Sequence, residues 1–138
     1  LVEQMADAGL KAIFMSGDGV VNQEFWTIAG TSAEGALVTF GTEYREKPEA
    51  ADVVKRFRAS GFEPEAYTLY TYAAVQVWAG AAAKAKSVDA DKVAASIRDG
   101  AYSTVIGPLS FDAKGDRKVT DYVVYRWASG KYTPIPGQ

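Results

Sequence analysis

Ser16-Gly17-Asp18-Gly19 is the stretch of this sequence best suited to hold a ligand. It follows the apolar run Lys11-Ala12-Ile13-Phe14-Met15, which reads as a buried strand. Open α/β sheets bind their ligands in loops beyond the carboxyl ends of strands. Gly17 and Gly19 permit a sharp backbone turn, and Asp18 offers a carboxylate at the rim. A carboxylate so placed can hold an ammonium group by charge-assisted hydrogen bonds. The alternative is a tight turn in which Asp18 caps local amides.

Other candidate chemistries fare worse. The loop matches neither GxGxxG nor the Walker pattern, which argues against a phosphate cradle. Asp112-Ala113-Lys114-Gly115-Asp116 has a Lys where a calcium ligand belongs and reads as a plain turn. The sequence contains neither His nor Cys, which removes the commonest general base, Ser-His-Asp chemistry, thiolate nucleophiles, disulfides and most zinc sites. An enzyme would have to run on Asp, Glu, Lys or Tyr alone, so no catalytic residue, metal or cofactor is assigned. Tyr67, Tyr70 and Tyr72 could wall a ligand site, or form core with hydroxyls reaching the surface.

The elements that must position these residues follow from composition and periodicity. The 138 residues suit about one ordinary domain, with 48% apolar and 23% charged residues. Fifteen Lys+Arg against seventeen Asp+Glu give a net charge of −2, with no general attraction to nucleic acid or anionic lipid. Leu1, Met5 and Ala8 suggest a helix entered partway along and stopped at Gly9; without a preceding cap or an initiator Met, the chain reads as a piece of something longer. A helix is predicted after Asn22 as N-cap, with Gly30 as its stop, and a strand over Ala36 to Phe40. Pro48 and the acidic Glu49 and Asp52 open a helix that Gly61 ends, with Val53, Val54 and Phe57 facing inward. Ala66 to Ala83 reads as a core helix covered on several sides rather than a membrane span, since Thr, Gln and Tyr interrupt it. Asp89 to Gly100 forms a further helix. Strands are expected over Tyr102 to Ile106 and Val119 to Trp127, with the turn 112–116 between them and a turn at Ser129-Gly130. The early strand–helix alternation predicts an α/β protein with a parallel sheet.

Several of these segments together resemble the C-terminal part of the leucine/isoleucine/valine-binding proteins. Those are the substrate-binding components of branched-chain amino-acid ABC transporters, built on the type I periplasmic binding protein fold. The matching runs are Gln4 to Lys11, Ser16 to Val20 with Asn22 and Phe25, Ala33 to Thr39, Thr71 to Gln76, and Thr104 to Asp116. The last is the most specific, and order and spacing carry the resemblance over essentially the whole chain.

The resemblance implies two Rossmann-like α/β lobes joined by hinge crossings, with an amino acid gripped between them. Residues 1–40 and 117–138 correspond to part of the C-terminal lobe, and residues 41–116 to part of the N-terminal lobe. The first strands of both lobes are not in this sequence, so the fold is incomplete. Family members carry an acidic residue, commonly Glu, where Asp18 stands, and it receives the ligand's α-ammonium. Gly19 belongs to the same loop. An aromatic residue near the start of the long helix faces the ligand side chain, and Tyr67 matches it. The groups that clamp the α-carboxylate lie in absent segments, which implies weak binding, or none, by this piece alone. Also implied are a periplasmic or extracytoplasmic location, although no signal peptide is visible, and an ABC permease as partner of the intact protein. Exposed sheet edges and apolar faces further imply a homo-oligomer, with domain swapping as one route to it. Other readings of the same fold are a truncated self-associating domain and a ligand-sensing receptor domain.

Overall fold

The structure is a computed structural model and describes residues 1–119 and 121–137. The chain forms two compact units, Leu1–Thr42 with Asp121–Gln138, and Glu43–Thr120.

The first unit holds a four-stranded sheet in the order β1-β2-β5-β6: β1 (Met15–Ser16), β2 (Leu37–Gly41), β5 (Tyr122–Ala128) and β6 (Lys131–Pro134). Only β1 and β2 run parallel; β2 with β5 and β5 with β6 are antiparallel. The sheet is therefore mixed and not the all-parallel one that early alternation suggests. The chain returns to β5 from the other unit, and a return of that kind is free to pair in either direction. The β5–β6 hairpin turns on Ser129 and Gly130, both with positive φ, the backbone that a tight two-residue turn requires.

Helices α1 (Val2–Asp7) and α2 (Gln23–Ala29) accompany this sheet. Asn22 caps α2 by accepting the Phe25 N–H at 3.0 Å, and Gly30 ends it at φ +54. Val2, Ala29 and Ala33 form a small buried cluster with Phe14, Phe25 and Trp26 against it. The predicted buried strand over 11–15 is shorter and more open than expected: only Met15 and Ser16 pair, and Ile13 and Met15 are 70% and 56% exposed. The reason is placement, because among the described residues β1 lies at the sheet edge and pairs with β2 alone.

The second unit is built around α4 (Thr68–Ala85), joined by α3 (Ala51–Ala59), α5 (Ala90–Arg98) and the hairpin of β3 (Ala101–Thr104) and β4 (Gly107–Ser110). Leu69, Ala73, Val77 and Ala81 recur every four residues on α4 and are buried. They pack with Val53, Val54, Val105, Ile106 and Leu109; a fully buried Val or Leu contributes about 1.5–3 kcal/mol. Helix α4 is thus covered along one stripe and not on several sides, leaving Val75 and Trp78 exposed.

The predicted single strand over 102–106 is instead a hairpin. Thr104 pairs with Gly107 around a Val105-Ile106 turn. Two buried β-branched residues give no turn signal in sequence. The turn is closed by the Thr104 hydroxyl, which donates to the Gly107 carbonyl at 2.7 Å, and by Gln76 of α4, whose Oε1 accepts the Val105 N–H at 2.9 Å. The next strand begins at Tyr122, with Val119 outside it. The turn at 112–116 is folded on Asp112, whose Oδ1 accepts the N–H groups of Lys114, Gly115 and Asp116.

Candidate functional site

In the first unit, β1 ends at Ser16 and residues Asp18–Val20 form a single 3₁₀ turn. Three hydrogen bonds hold the backbone of this loop. The Val21 N–H donates to the Asp18 carbonyl at 3.1 Å, and the Val21 side chain is fully buried. Asn22 Nδ2 donates to the Gly19 carbonyl at 3.4 Å, and Trp127 Nε1 of β5 donates to the Val20 carbonyl at 3.3 Å. Trp127 is itself fully buried, with ring centroids 5.7 Å from Phe25, 6.0 Å from Trp26 and 5.1 Å from Tyr132.

On this frame the Asp18 side chain is exposed and, among the described residues, takes no hydrogen-bond or ion-pair partner. It does not cap local amides; that work falls to Asn22. A carboxylate free at the end of a strand and carried on a fixed backbone suits a cationic group. Gly17 and Gly19 do not serve a left-handed turn, since neither has positive φ. A Cβ at either would meet nothing within 4 Å, so their smallness leaves open space beside Asp18.

In the second unit, Tyr67 stands immediately before α4 and is 47% exposed. Ala66 before it adopts φ +44, a conformation that costs a residue with a Cβ about 1–2 kcal/mol. The Glu65 carbonyl anchors the turn by accepting both the N–H and the hydroxyl of Thr68, at 3.0 and 2.8 Å. Tyr67 lines an open groove of about 780 Å³ together with Phe57, Thr71, Tyr72 and Val75. The other two tyrosines pack against aromatic neighbours, Tyr72 while also lining the groove. Tyr70 meets the Tyr44 ring edge-on at 5.6 Å, and Tyr72 packs on Phe57 with its hydroxyl accepting from Arg56 at 2.9 Å.

The second unit also holds a charged network that sequence reading did not single out. Glu63 accepts from Arg58 Nε and Nη2 at 2.8 and 2.9 Å, and from Arg45 Nη1 at 3.2 Å. Arg45 also bonds Glu43 at 2.6 Å. The Arg58 hydrogen bond holds the Glu63 carboxyl below the usual glutamate range against an opposing desolvation, with the Arg58 and Arg45 charges adding in the same direction. The Arg58 guanidinium is pushed up in turn by its bond to Glu63. No local motif announces these partners, since Arg45 and Glu63 are 18 residues apart. Among the described residues no acidic cluster could hold a metal ion, and no helix is long and apolar enough to cross a membrane.

The family of periplasmic binding proteins matches residues 1–131. The chain belongs to that family. A Leu/Ile/Val-binding protein homolog 1 from Brucella suis is 53% identical to it over 98% of this chain and 38% of its own length. An amino acid binding protein from Pseudomonas aeruginosa is 48% identical over 99% of the chain and 37% of its own length. Among solved structures, a leucine-binding protein from Thermotoga maritima is similar, with TM-score 0.84 and 27% identity over 97% of this chain and 39% of that one. This periplasmic binding protein chain therefore spans a little over a third of the length of the relatives it matches. Its α/β architecture is that of the type I periplasmic binding proteins, of which it represents part.

Proposed function

We propose that this chain is the C-terminal part of the substrate-binding component of an ABC transporter for branched-chain or related amino acids. The observation that carries the reading is identity of about half across 98% of the chain with a Leu/Ile/Val-binding homologue. The two compact units support a matching assignment, in which residues 1–40 and 117–138 belong to a C-terminal lobe and residues 41–116 to an N-terminal lobe.

In this reading Asp18 receives the ligand's α-ammonium. Its lack of a competing partner and its fixed backbone support the role. Asp is one methylene shorter than Glu, so the amine sits closer to the loop backbone, and the open space at Gly19 accommodates that approach. Tyr67 forms part of the wall against the ligand side chain, supported by its exposure beside an apolar groove. The chain carries no counterpart in this scheme for the ligand's carboxylate. Alone it binds amino acids weakly or not at all, because a zwitterion leaving water needs both charges met. The complete protein works outside the cytoplasm and delivers ligand to a permease; binding, not catalysis, is its task.

The test is isothermal titration with leucine, on this chain and on the longer protein that contains it. The longer protein should bind, and its Asp18→Asn variant should lose about 2–5 kcal/mol of affinity, roughly thirtyfold or more. Micromolar binding by this chain alone overturns the incomplete-site reading, and an Asp18→Asn variant of unchanged affinity overturns the role of Asp18.

A second reading concerns this chain by itself. Ile13 and Met15 on the β1 side, and Val75 and Trp78 on α4, are large apolar side chains at least half exposed. Such surfaces favour self-association into a homo-oligomer, including one formed by domain swapping. Light scattering that finds a monomer at high concentration counts against it.

A further inference from the structure

The second unit begins at Glu43, and its first residues reach across to the loop that presents Tyr67 by two separate routes. The first is ionic. Arg45 is held by Glu43, through the 2.6 Å pair and through its own N–H, which donates to Glu43 Oε1 at 3.0 Å. Its guanidinium then donates to Glu63, which Arg58 of α3 grips with two further bonds. Pro64, next in the chain, is fully buried, so the start of the 63–67 loop is fixed both by charge and by packing. The second route is aromatic. The Tyr44 ring meets Tyr70 at 5.6 Å, and Tyr70 meets Tyr67 at 6.4 Å, both near perpendicular. Between these anchors lies Ala66 at φ +44, a backbone state that persists only where its surroundings over-determine it.

We propose that Tyr44 and Arg45 are positioning residues for Tyr67, setting the ring's orientation from the first residues of the second unit. The inference rests on the reading of Tyr67 as a ligand-facing residue. An exposed ion pair alone adds little to stability, so the role of Arg45 is geometric: it fixes where the loop starts, while Tyr44 fixes what the Tyr67 ring leans on through Tyr70. A shift of the segment 43–45 would be passed to Tyr67 along both routes.

The test has two readouts. The Tyr67 ring resonances in this chain, assigned by their loss in Tyr67→Phe, should move in Arg45→Gln and in Tyr44→Leu. They should stay in place in Tyr44→Phe, which keeps the ring, and in Lys92→Gln on α5, which serves as control. In the longer protein, Arg45→Gln should weaken leucine binding about three- to tenfold, with Arg45→Lys recovering part of the loss. Unmoved Tyr67 resonances in whichever of Arg45→Gln and Tyr44→Leu folds overturn the positioning role. A Tyr67→Ala variant with full leucine affinity overturns instead the ligand-facing reading, and the functional claim with it, and the resonance shifts tell the two failures apart.

Discussion

The indole N–H of Trp127 donates to the carbonyl of Val20 at 3.3 Å, although 107 residues separate the two in sequence. This bond ties β5, the strand by which the chain returns to the first unit, to the loop that carries Asp18. It makes the frame of a proposed binding residue depend on the end of the chain.

Trp127→Phe removes that donor and part of a fully buried ring system. It leaves the Val20 carbonyl without its indole donor and should cost about 1–3 kcal/mol of stability. Urea unfolding should show a lower midpoint at unchanged slope. The Asp18–Val20 amides should also exchange hydrogen faster relative to those of α2.

Asn22→Ala removes both the cap of α2 and the side-chain bond to the Gly19 carbonyl. A loss of about 1 kcal/mol is expected from the cap alone. Asn22→Ser should recover most of it, because a serine hydroxyl also caps, and thermal denaturation of the two variants makes the comparison.

Gly100→Ala and Gly19→Ala should differ sharply. A Cβ at Gly100 would fall 2.4 Å from the Tyr102 hydroxyl, which is committed to the Ser96 carbonyl at 2.6 Å. The ring must move and lose that bond, at about 1–3 kcal/mol. At Gly19 nothing lies within 4 Å, so stability should hold while leucine affinity of the longer protein falls. A melting temperature that drops equally in both would contradict the open space at Gly19.

Glu63→Gln probes the charged network through pH. The folded-state pKa of Glu63 is depressed, so its contribution is present above the ordinary value near 4.5 and is lost as pH falls through the lower folded value. The melting temperature of the native chain should exceed that of Glu63→Gln at pH 7, and the gap should close below pH 4.5. The effect is modest because the pair is partly exposed, and 1 M salt should shrink it.

Local signals in the sequence were sufficient for the helices. Asn22 before α2, Pro48 ahead of α3 and Asp89 before α5 each satisfy, or do without, backbone donors that a helix start leaves free, and that chemistry operates within one turn. The hairpin at 104–107 was not legible, because Val105 and Ile106 turn only where the core and Gln76 receive them. The edge exposure of Ile13 and Met15 was equally hidden, since an apolar run states a preference for burial and not the presence of a neighbour.

By itself, then, the sequence determined the helices and their order, the absence of His and Cys chemistry, and the loop on which Asp18 would sit. These depend on residue type and on neighbours a few positions away. Only the tertiary structure decided that the Asp18 carboxylate is left free, that Val20 is held by Trp127, and that Arg45, Glu63 and Arg58 form one network. Those relationships join distant parts of the chain, and contacts of that kind exist only once packing has brought their partners within hydrogen-bond range.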